Sequence, residues 1–185
     1  MHEKIAIRRK ALINRKKNYF EVSSNFFKPL IEFLKQQKKN KKILLSFYYP
    51  SNYEVNILKL FQLIKKMKIK TLLPIIKDEN TMTFLEWKNL DPLRVNDFGM
   101  LDPCVLKKSL TPNVMLVPLL AFDLQNNRLG YGKGFYDKYL RKFLNKKNKI
   151  KTIGVAFSFQ KYNKIPISKL DVKLNFILTE KGLTK

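Results

Sequence analysis

Cysteine and histidine are almost absent from this 185-residue sequence, with Cys104 and His2 the single example of each. One cysteine excludes an internal disulfide and any cysteine-cluster metal site. A lone histidine beside the amino terminus, where mobility is expected, argues against histidine catalysis and His-ligated zinc. Acidic residues are scarce as well, 14 against 38 Lys+Arg, for a formal charge of +24. No apolar run approaches the ~18–20 residues of a membrane span; the longest, Val114 to Phe122, contains Pro118. The stretch Met1 to Ala6 lacks an apolar core, so no secretory signal is expected. Carboxylates, lysines, arginines and backbone amides are left to do whatever chemistry occurs.

What is present is enough for a packed core: 45% hydrophobic and 12% aromatic residues. The positive balance attracts phosphates and polyanions. The lysines are nevertheless spread along the chain, and the runs Gln37–Lys42 and Asn145–Lys149 fall where loops are expected. No repeat or Gly/Ser/Pro-rich linker divides the sequence, so residues 1–185 are expected to form one domain.

Apolar periodicity predicts a helix from Glu3 to Tyr19 with Ile7, Leu12 and Ile13 on one face, and Lys4 and Arg8 a turn apart on another. A second helix is expected over Val22–Gln37, and a third opening at Pro50–Glu54 and running through Ile57, Leu60, Phe61 and Ile64. Short apolar runs at Ile43–Tyr48, Thr71–Ile76, Met82–Trp87, Val114–Leu120, Thr152–Phe157 and Phe176–Thr179 read as strands. Strands alternating with helices argue for an α/β fold: a single open, mostly parallel sheet flanked by helices. Ligands of such sheets bind at the carboxyl ends of the strands, which points to the turn after Val114–Leu120.

Half of the six glycines lie in that turn, Gly130-Tyr131-Gly132-Lys133-Gly134, before a helix expected over Gly134–Leu144. Successive amides between the cations Arg128 and Lys133 form an anion cradle, with Lys133 capping phosphate oxygens and Arg128 forking two of them. Asp137, in the first helical turn, is placed to hold Mg²⁺ or simply to complement the helix dipole. Neither the Walker spacing nor the dinucleotide fingerprint is met.

The run Val117-Pro118-Leu119-Leu120-Ala121-Phe122-Asp123-Leu124-Gln125-Asn126-Asn127-Arg128 and its continuation through Gly130, Gly132, Gly134, Phe135, Tyr136 and Asp137 to Leu140 closely resembles a long signature. That signature, approximately V-P-G-x-A-F-D-x-x-G-x-R-L-G-x-G-x-G-Y-Y-D-x-x-L, belongs to the 5-formyltetrahydrofolate cyclo-ligase (methenyltetrahydrofolate synthetase) family. The similarity extends to Lys4 and Arg8, Tyr49 and Glu54, Leu73-Pro74, Met82 and Phe84, Phe98-Gly99 to Pro103, Ile153 to Phe157, and Pro166, Asp171 and Thr179-Glu180. Departures are modest: Leu119 and Asn126 replace glycines, Asp102 a glutamate, and Asn175 an aspartate. Asparagine tolerates the left-handed backbone nearly as well as glycine.

The resemblance implies a NagB/RpiA/CoA-transferase-like three-layer sandwich and a cytoplasmic, monomeric ligase. It also implies the reaction: MgATP-dependent cyclisation of 5-formyltetrahydrofolate, possibly polyglutamylated in the cell, to 5,10-methenyltetrahydrofolate through an N5 iminium phosphate. Lys4, Arg8, Arg128, Leu129, Gly130, Tyr131, Gly132, Lys133, Gly134, Phe135 and Tyr136 would bind ATP, with Lys133 and Arg128 catalytic. Tyr49, Glu54 and the Tyr131–Phe135 stretch would contact the folate, and Asp137 and Asp171 the Mg²⁺. Such chemistry needs positioning and charge stabilisation rather than a protein nucleophile, which agrees with the shortage of His and Cys. Glu54 has a second reading as the fourth residue of a capping box, Ser51-Asn52-Tyr53-Glu54, and Phe84 and Trp87 read equally as pterin walls or as core.

Two other classes remain open on residues alone. A basic nucleic-acid-binding module without catalytic activity would need aromatics exposed among the lysines, whereas here they fall at core-like positions. A sugar-phosphate or acyl-transfer enzyme on a similar sheet would need a base or nucleophile by the loop, and no His or Cys is available there.

Overall fold

The computed structural model describes residues 2–39, 42–79, 81–96, 99–104, 108–144 and 150–185. The run Asn145–Lys149, residues Asn40 and Lys41, and Phe98 lie outside these described residues.

Among the described residues the apolar runs become a seven-stranded sheet in the order β11-β10-β9-β6-β1-β2-β3. Its strands are β1 (Leu44–Ser46), β2 (Lys70–Asp78), β3 (Thr81–Glu86), β6 (Val114–Pro118), β9 (Lys151–Val155), β10 (Phe176–Thr179) and β11 (Gly182–Thr184). From β10 to β2 every pairing is parallel. The edges are closed by the antiparallel partners β3 and β11. The expected strand runs all fall on this sheet. Four two- or three-residue strands that periodicity does not reveal, β4 (Leu93–Val95), β5 (Leu101–Pro103), β7 (Ala121–Phe122) and β8 (Arg128–Leu129), pair as β4-β5 and β7-β8 outside it.

Alternate strand residues face opposite ways. Leu45, Leu73, Leu116, Ile153, Val155 and Leu178 join one core cluster with Leu30 and Leu34 of α2 (Lys28–Lys38) and Leu60, Phe61 and Ile64 of α3 (Leu60–Ile64). Leu72, Met115, Val117 and Ile177 join a second, with Tyr139 and Leu140 of α4 (Phe135–Arg141). The result is a three-layer sandwich with the parallel strands buried on both faces. Phe84 and Trp87, a possible pterin wall, sit in this core at 0% and 3% exposure, Phe84 edge-on to Tyr139.

Gly154 shows how tight the second cluster is. A methyl there would lie 2.7–2.8 Å from Leu119, Leu174 and Ile177. Gly154→Ala is therefore expected to destabilise the fold by about 1–3 kcal/mol, as overpacking does. Thermal unfolding checks this: the midpoint falls by roughly 2–10 °C, and an unchanged midpoint would show that these three side chains repack freely.

Three expected helices differ. The one expected over Val22–Gln37 opens with a 3₁₀ turn, Ser24–Phe27, and becomes α-helical only from Lys28. The helix foreseen from Pro50 begins only at Leu60. Asn52 and Tyr53 adopt φ of 47° and 62°, a left-handed pair that a right-handed helix cannot contain. On α1 (His2–Asn18), Leu12 and Ile13 are exposed, and the buried residues are Ala11 and Arg15. The inward stripe is thus Lys4, Arg8, Ala11 and Arg15, at i, i+4, i+7 and i+11, because this helix lies mainly across loop carbonyls and the Asp171 carboxylate, and of the expected apolar face only Ile7 packs on a core cluster.

Candidate active site

From β1 the chain proceeds to β2 and β3 on one side, and it returns through β6 to β9, β10 and β11 on the other. The β1–β6 boundary is therefore the switch point of the sheet, where the loops leaving adjacent carboxyl ends diverge and open a crevice. The segment after β1 supplies Tyr49 and the Ser51–Glu54 turn. The segment after β6 supplies the loop from Leu119 to Gly134. Helix α1 contacts the second of these segments, Arg8 bonding the Gly130 carbonyl and Arg15 the Leu119 carbonyl and the Tyr131 hydroxyl.

The loop after β6 is held by side chains whose roles the sequence did not disclose. Asp123, 1% exposed, accepts the amides of Gln125 and Asn127 at 3.0 Å and that of Ile165 at 3.2 Å. Asn126 takes the expected left-handed conformation, φ 62°. Buried Gln160 donates to the carbonyls of Leu119 and Leu120 at 2.9 and 3.0 Å. Leu129 places its side chain in a small core cluster with Ala121 and Ile165, against which Ile7 of α1 packs, which leaves its side chain no part in binding.

Of the loop glycines, Gly132 and Gly134 have positive φ, 110° and 70°. Gly132 is doubly constrained, since a methyl there would sit 3.2 Å from the Arg8 guanidinium carbon. Arg8 donates through Nε to the Gly130 carbonyl at 2.9 Å, and its two terminal nitrogens make no hydrogen bond among the described residues. Lys133 is exposed on the loop beside them.

The remaining charges meet in pairs. Arg128, 8% exposed, donates to Asp137 Oδ1 at 2.8 Å and to the Val172 carbonyl at 2.6 Å. The Val172 amide donates to the same Oδ1 at 2.8 Å. Lys4 pairs with Asp171 Oδ2, which also receives the Ser168 amide. Burial pushes the Asp171 carboxyl up, but the Lys4 ammonium and the Ser168 amide outweigh it and hold the group below the ordinary carboxylate value. Both contacts to Asp137 fall on Oδ1, so its Oδ2 makes no hydrogen bond among the described residues, whereas Asp171 is also bonded by the Ser168 side chain. Among the described residues no group of three or more His, Cys, Asp or Glu side chains assembles as a metal cage. Two oxygen donors on adjoining segments suit a Mg²⁺ that takes its other ligands from phosphate and water, the ion's usual habit.

On the other side of the crevice, Glu54 is 6% exposed. Its Oε2 accepts the Ser51 amide at 2.9 Å, the half of a capping box that survives without the helix. Its Oε1 accepts the Tyr131 hydroxyl at 2.9 Å. Tyr131 in turn accepts a hydrogen bond from Arg15. Burial raises the Glu54 carboxyl against the lowering effects of the Ser51 amide and Arg15. Burial and the nearby Glu54 push the Tyr131 hydroxyl up to about 12, so it remains a neutral phenol. Tyr136, also raised by burial and by Glu54, stands within reach of the same field.

Glu54 and Tyr49 line an open groove of about 390 Å³ with Tyr19, Tyr53, Asn56 and Leu58. Tyr53, strained at positive φ, puts its ring 5.8 Å from Tyr19 in an edge contact. Strain of this kind persists where surrounding structure enforces it, and it collects at binding sites.

Sequence comparison gives this geometry its context: a model of the 5-formyltetrahydrofolate cyclo-ligase family matches residues 2–180. The chain belongs to this family. It is 30% identical over 149 residues to the 5-formyltetrahydrofolate cyclo-ligase of Haemophilus influenzae, covering 77% of this chain and 78% of that one. It is 28% identical over 183 residues to the Mycoplasma pneumoniae protein of the same name, covering 97% and 96%. The solved 5,10-methenyltetrahydrofolate synthetase of Aquifex aeolicus superposes with a TM-score of 0.73 at 28% identity, covering 97% of this chain and 91% of that one.

The sequence directed attention to the turn after Val114–Leu120, and the structure places the glycine loop in the segment that follows β6. The sequence reading missed Arg15, Asp123 and Gln160. A signal existed for Arg15, which falls on the helical face of Lys4 and Arg8. Asp123 was visible inside the signature, but nothing in the spacing showed that it ties down three amides.

Proposed function

We propose that this protein binds 5-formyltetrahydrofolate and MgATP in the β1–β6 crevice and converts them to 5,10-methenyltetrahydrofolate, ADP and phosphate. The observation that carries the reading is the Tyr131–Glu54 hydrogen bond, which joins the glycine loop directly to the groove after β1. A nucleotide on one and a folate on the other would be neighbours.

In this reading Lys4, Arg8, Lys133 and the backbone from Leu129 to Tyr136 hold the ATP phosphates. Arg8 offers its terminal nitrogens, and Arg128 uses the second hydrogen on each of its own. Tyr49, Glu54, Tyr131 and the loop as far as Phe135 hold the folate, with Glu54 taking N–H donors of the pterin on its remaining lone pairs. Asp137 and Asp171 would hold Mg²⁺, which neutralises phosphate charge when bound. The formyl oxygen attacks the γ-phosphorus and ADP departs, leaving an N5 iminium phosphate. N10 then attacks the activated carbon, loses its proton, and phosphate leaves as the ring closes. Lys133 and Arg128 act by stabilising charge that builds on the transferred phosphoryl group. An amide oxygen leaves poorly and a phosphate well, so no protein nucleophile is required.

The positive surface suits the anionic glutamate tail of the folate, and the reading includes a cytoplasmic monomer. Among the described residues no helix is long and apolar enough to cross a membrane. The test is the absorbance of methenyltetrahydrofolate formed from 5-formyltetrahydrofolate with and without MgATP. Product that depends on both is expected. Folded protein yielding none would refute the proposal, and salt-sensitive retention on nucleic acid instead would favour a binding module.

A further inference from the structure

Arg15, on α1, is at 1% exposure among the most buried side chains of the molecule. A buried cation is costly unless paired. Yet Arg15 makes no direct ion pair among the described residues. One terminal nitrogen donates to the Leu119 carbonyl at 3.1 Å and the other to the Tyr131 hydroxyl. The guanidinium carbon stands 5.6 Å from the centre of the Tyr131 ring, and Nε is buried without a partner among the described residues. The nearest carboxylate in this network is Glu54, reached through that phenol. Three segments are thereby tied together: α1, the loop after β6 and the turn after β1.

If helix packing were the only demand, an apolar side chain beside Ala11 would meet it at less desolvation cost. The retained charge instead acts on Glu54. We propose that Arg15 is a positioning residue for the folate half of the reaction, fixing Glu54 as an aimed carboxylate through the Tyr131 hydroxyl. This rests on the folate reading of the groove.

The groups facing Glu54 are Arg15 from α1, Tyr131 and Tyr136 from the loop and α4, and Tyr48 from the end of β1, with the Ser51 amide. Tyrosines are neutral at these pH values and those facing Glu54 are raised further still, so Arg15 is the cation that, beside the Ser51 amide, opposes protonation of Glu54. Without it the carboxyl takes up a proton at higher pH, and a neutral acid accepts pterin N–H groups poorly.

The experiment is steady-state turnover of the full chain between about pH 5.5 and 8.5 at saturating MgATP, for wild type, Arg15→Met, Arg15→Lys and Tyr131→Phe. Arg15→Met is expected to raise the folate KM about tenfold or more at neutral pH, with a smaller fall in kcat. Its acid limb in kcat/KM should move up by about one pH unit or more. Arg15→Lys should return the limb towards wild type without restoring KM, because lysine supplies charge but no fork. Folded Arg15→Met with a wild-type limb, or with losses equal at every pH, would overturn the proposal. If Arg15→Met does not fold, Tyr131→Phe decides: it keeps the ring and removes the hydroxyl, so KM should rise and the limb shift upward by less. An unmoved KM and limb in that variant would overturn the proposal. Wild type giving no ATP-dependent product condemns the folate reading itself; product from wild type with unmoved variants condemns only the role of Arg15.

Discussion

Lys133→Ala is expected to lower kcat/KM for MgATP by about a hundredfold or more while moving the thermal midpoint by no more than about 2 °C. The side chain is exposed on a loop whose shape is set by other groups. Asp123 and Gln160 fasten the segment before it, and Arg8 bonds the Gly130 carbonyl. An ammonium in that position contributes little to folding, since exposed charges rarely contribute more than about 1 kcal/mol. It would contribute far more to a phosphoryl group gathering charge in a crevice partly closed to water. Activity at several MgATP concentrations, set beside thermal unfolding of the same preparation, separates the two. A parallel loss of turnover and of stability would mean that the lysine serves the loop rather than the nucleotide.

The asymmetry between what Lys133 and Arg15 reveal in sequence has a physical origin. Parallel strands buried on both faces read as unbroken apolar runs, so Val114–Pro118 and Phe176–Thr179 were legible without knowledge of their partners. The glycine loop was legible because glycines and cations crowd a few positions of a chain poor in glycine. Helix α1 misled because periodicity assumes that the buried face is the apolar one. Here the helix meets carbonyls, a phenol and a carboxylate, so its inward stripe is cationic while Ile13 stands 62% exposed. The Ser51–Glu54 segment misled for a related reason. Of the two reciprocal contacts of a capping box, the one between carboxylate and amide formed, at 2.9 Å. It closes a left-handed turn rather than a helix, and the other oxygen of the carboxylate meets the Tyr131 hydroxyl arriving from the loop after β6. Contacts between segments 77 positions apart leave no mark on local spacing.

Glu54→Gln is expected to abolish most turnover, about a hundredfold or more in kcat/KM for the folate, without loss of stability near neutral pH. The sign follows from burial. The folded protein raises the Glu54 carboxyl above its ordinary value of 4.5, so the native state binds this proton more tightly than the unfolded chain does. Stability therefore falls as pH rises from that ordinary value through the raised folded one, and above it the full cost of keeping a carboxylate inside the crevice is present. Glutamine carries no charge and escapes that cost. It still offers one oxygen, to the Ser51 amide or to the Tyr131 hydroxyl, and gives up the other bond, a loss of about 1 kcal/mol that offsets part of the gain. The midpoint of the variant should thus match or exceed wild type above neutrality and lose that advantage in acid, where the wild-type carboxyl is protonated. Catalysis should not recover at any pH, because an amide cannot present two anionic oxygens to pterin donors. Thermal unfolding across the pH range beside folate kinetics reads both effects from one pair of proteins. A variant less stable than wild type at every pH would show that Glu54 is chiefly a brace for its turn, and full activity in a folded variant would remove it from the folate site.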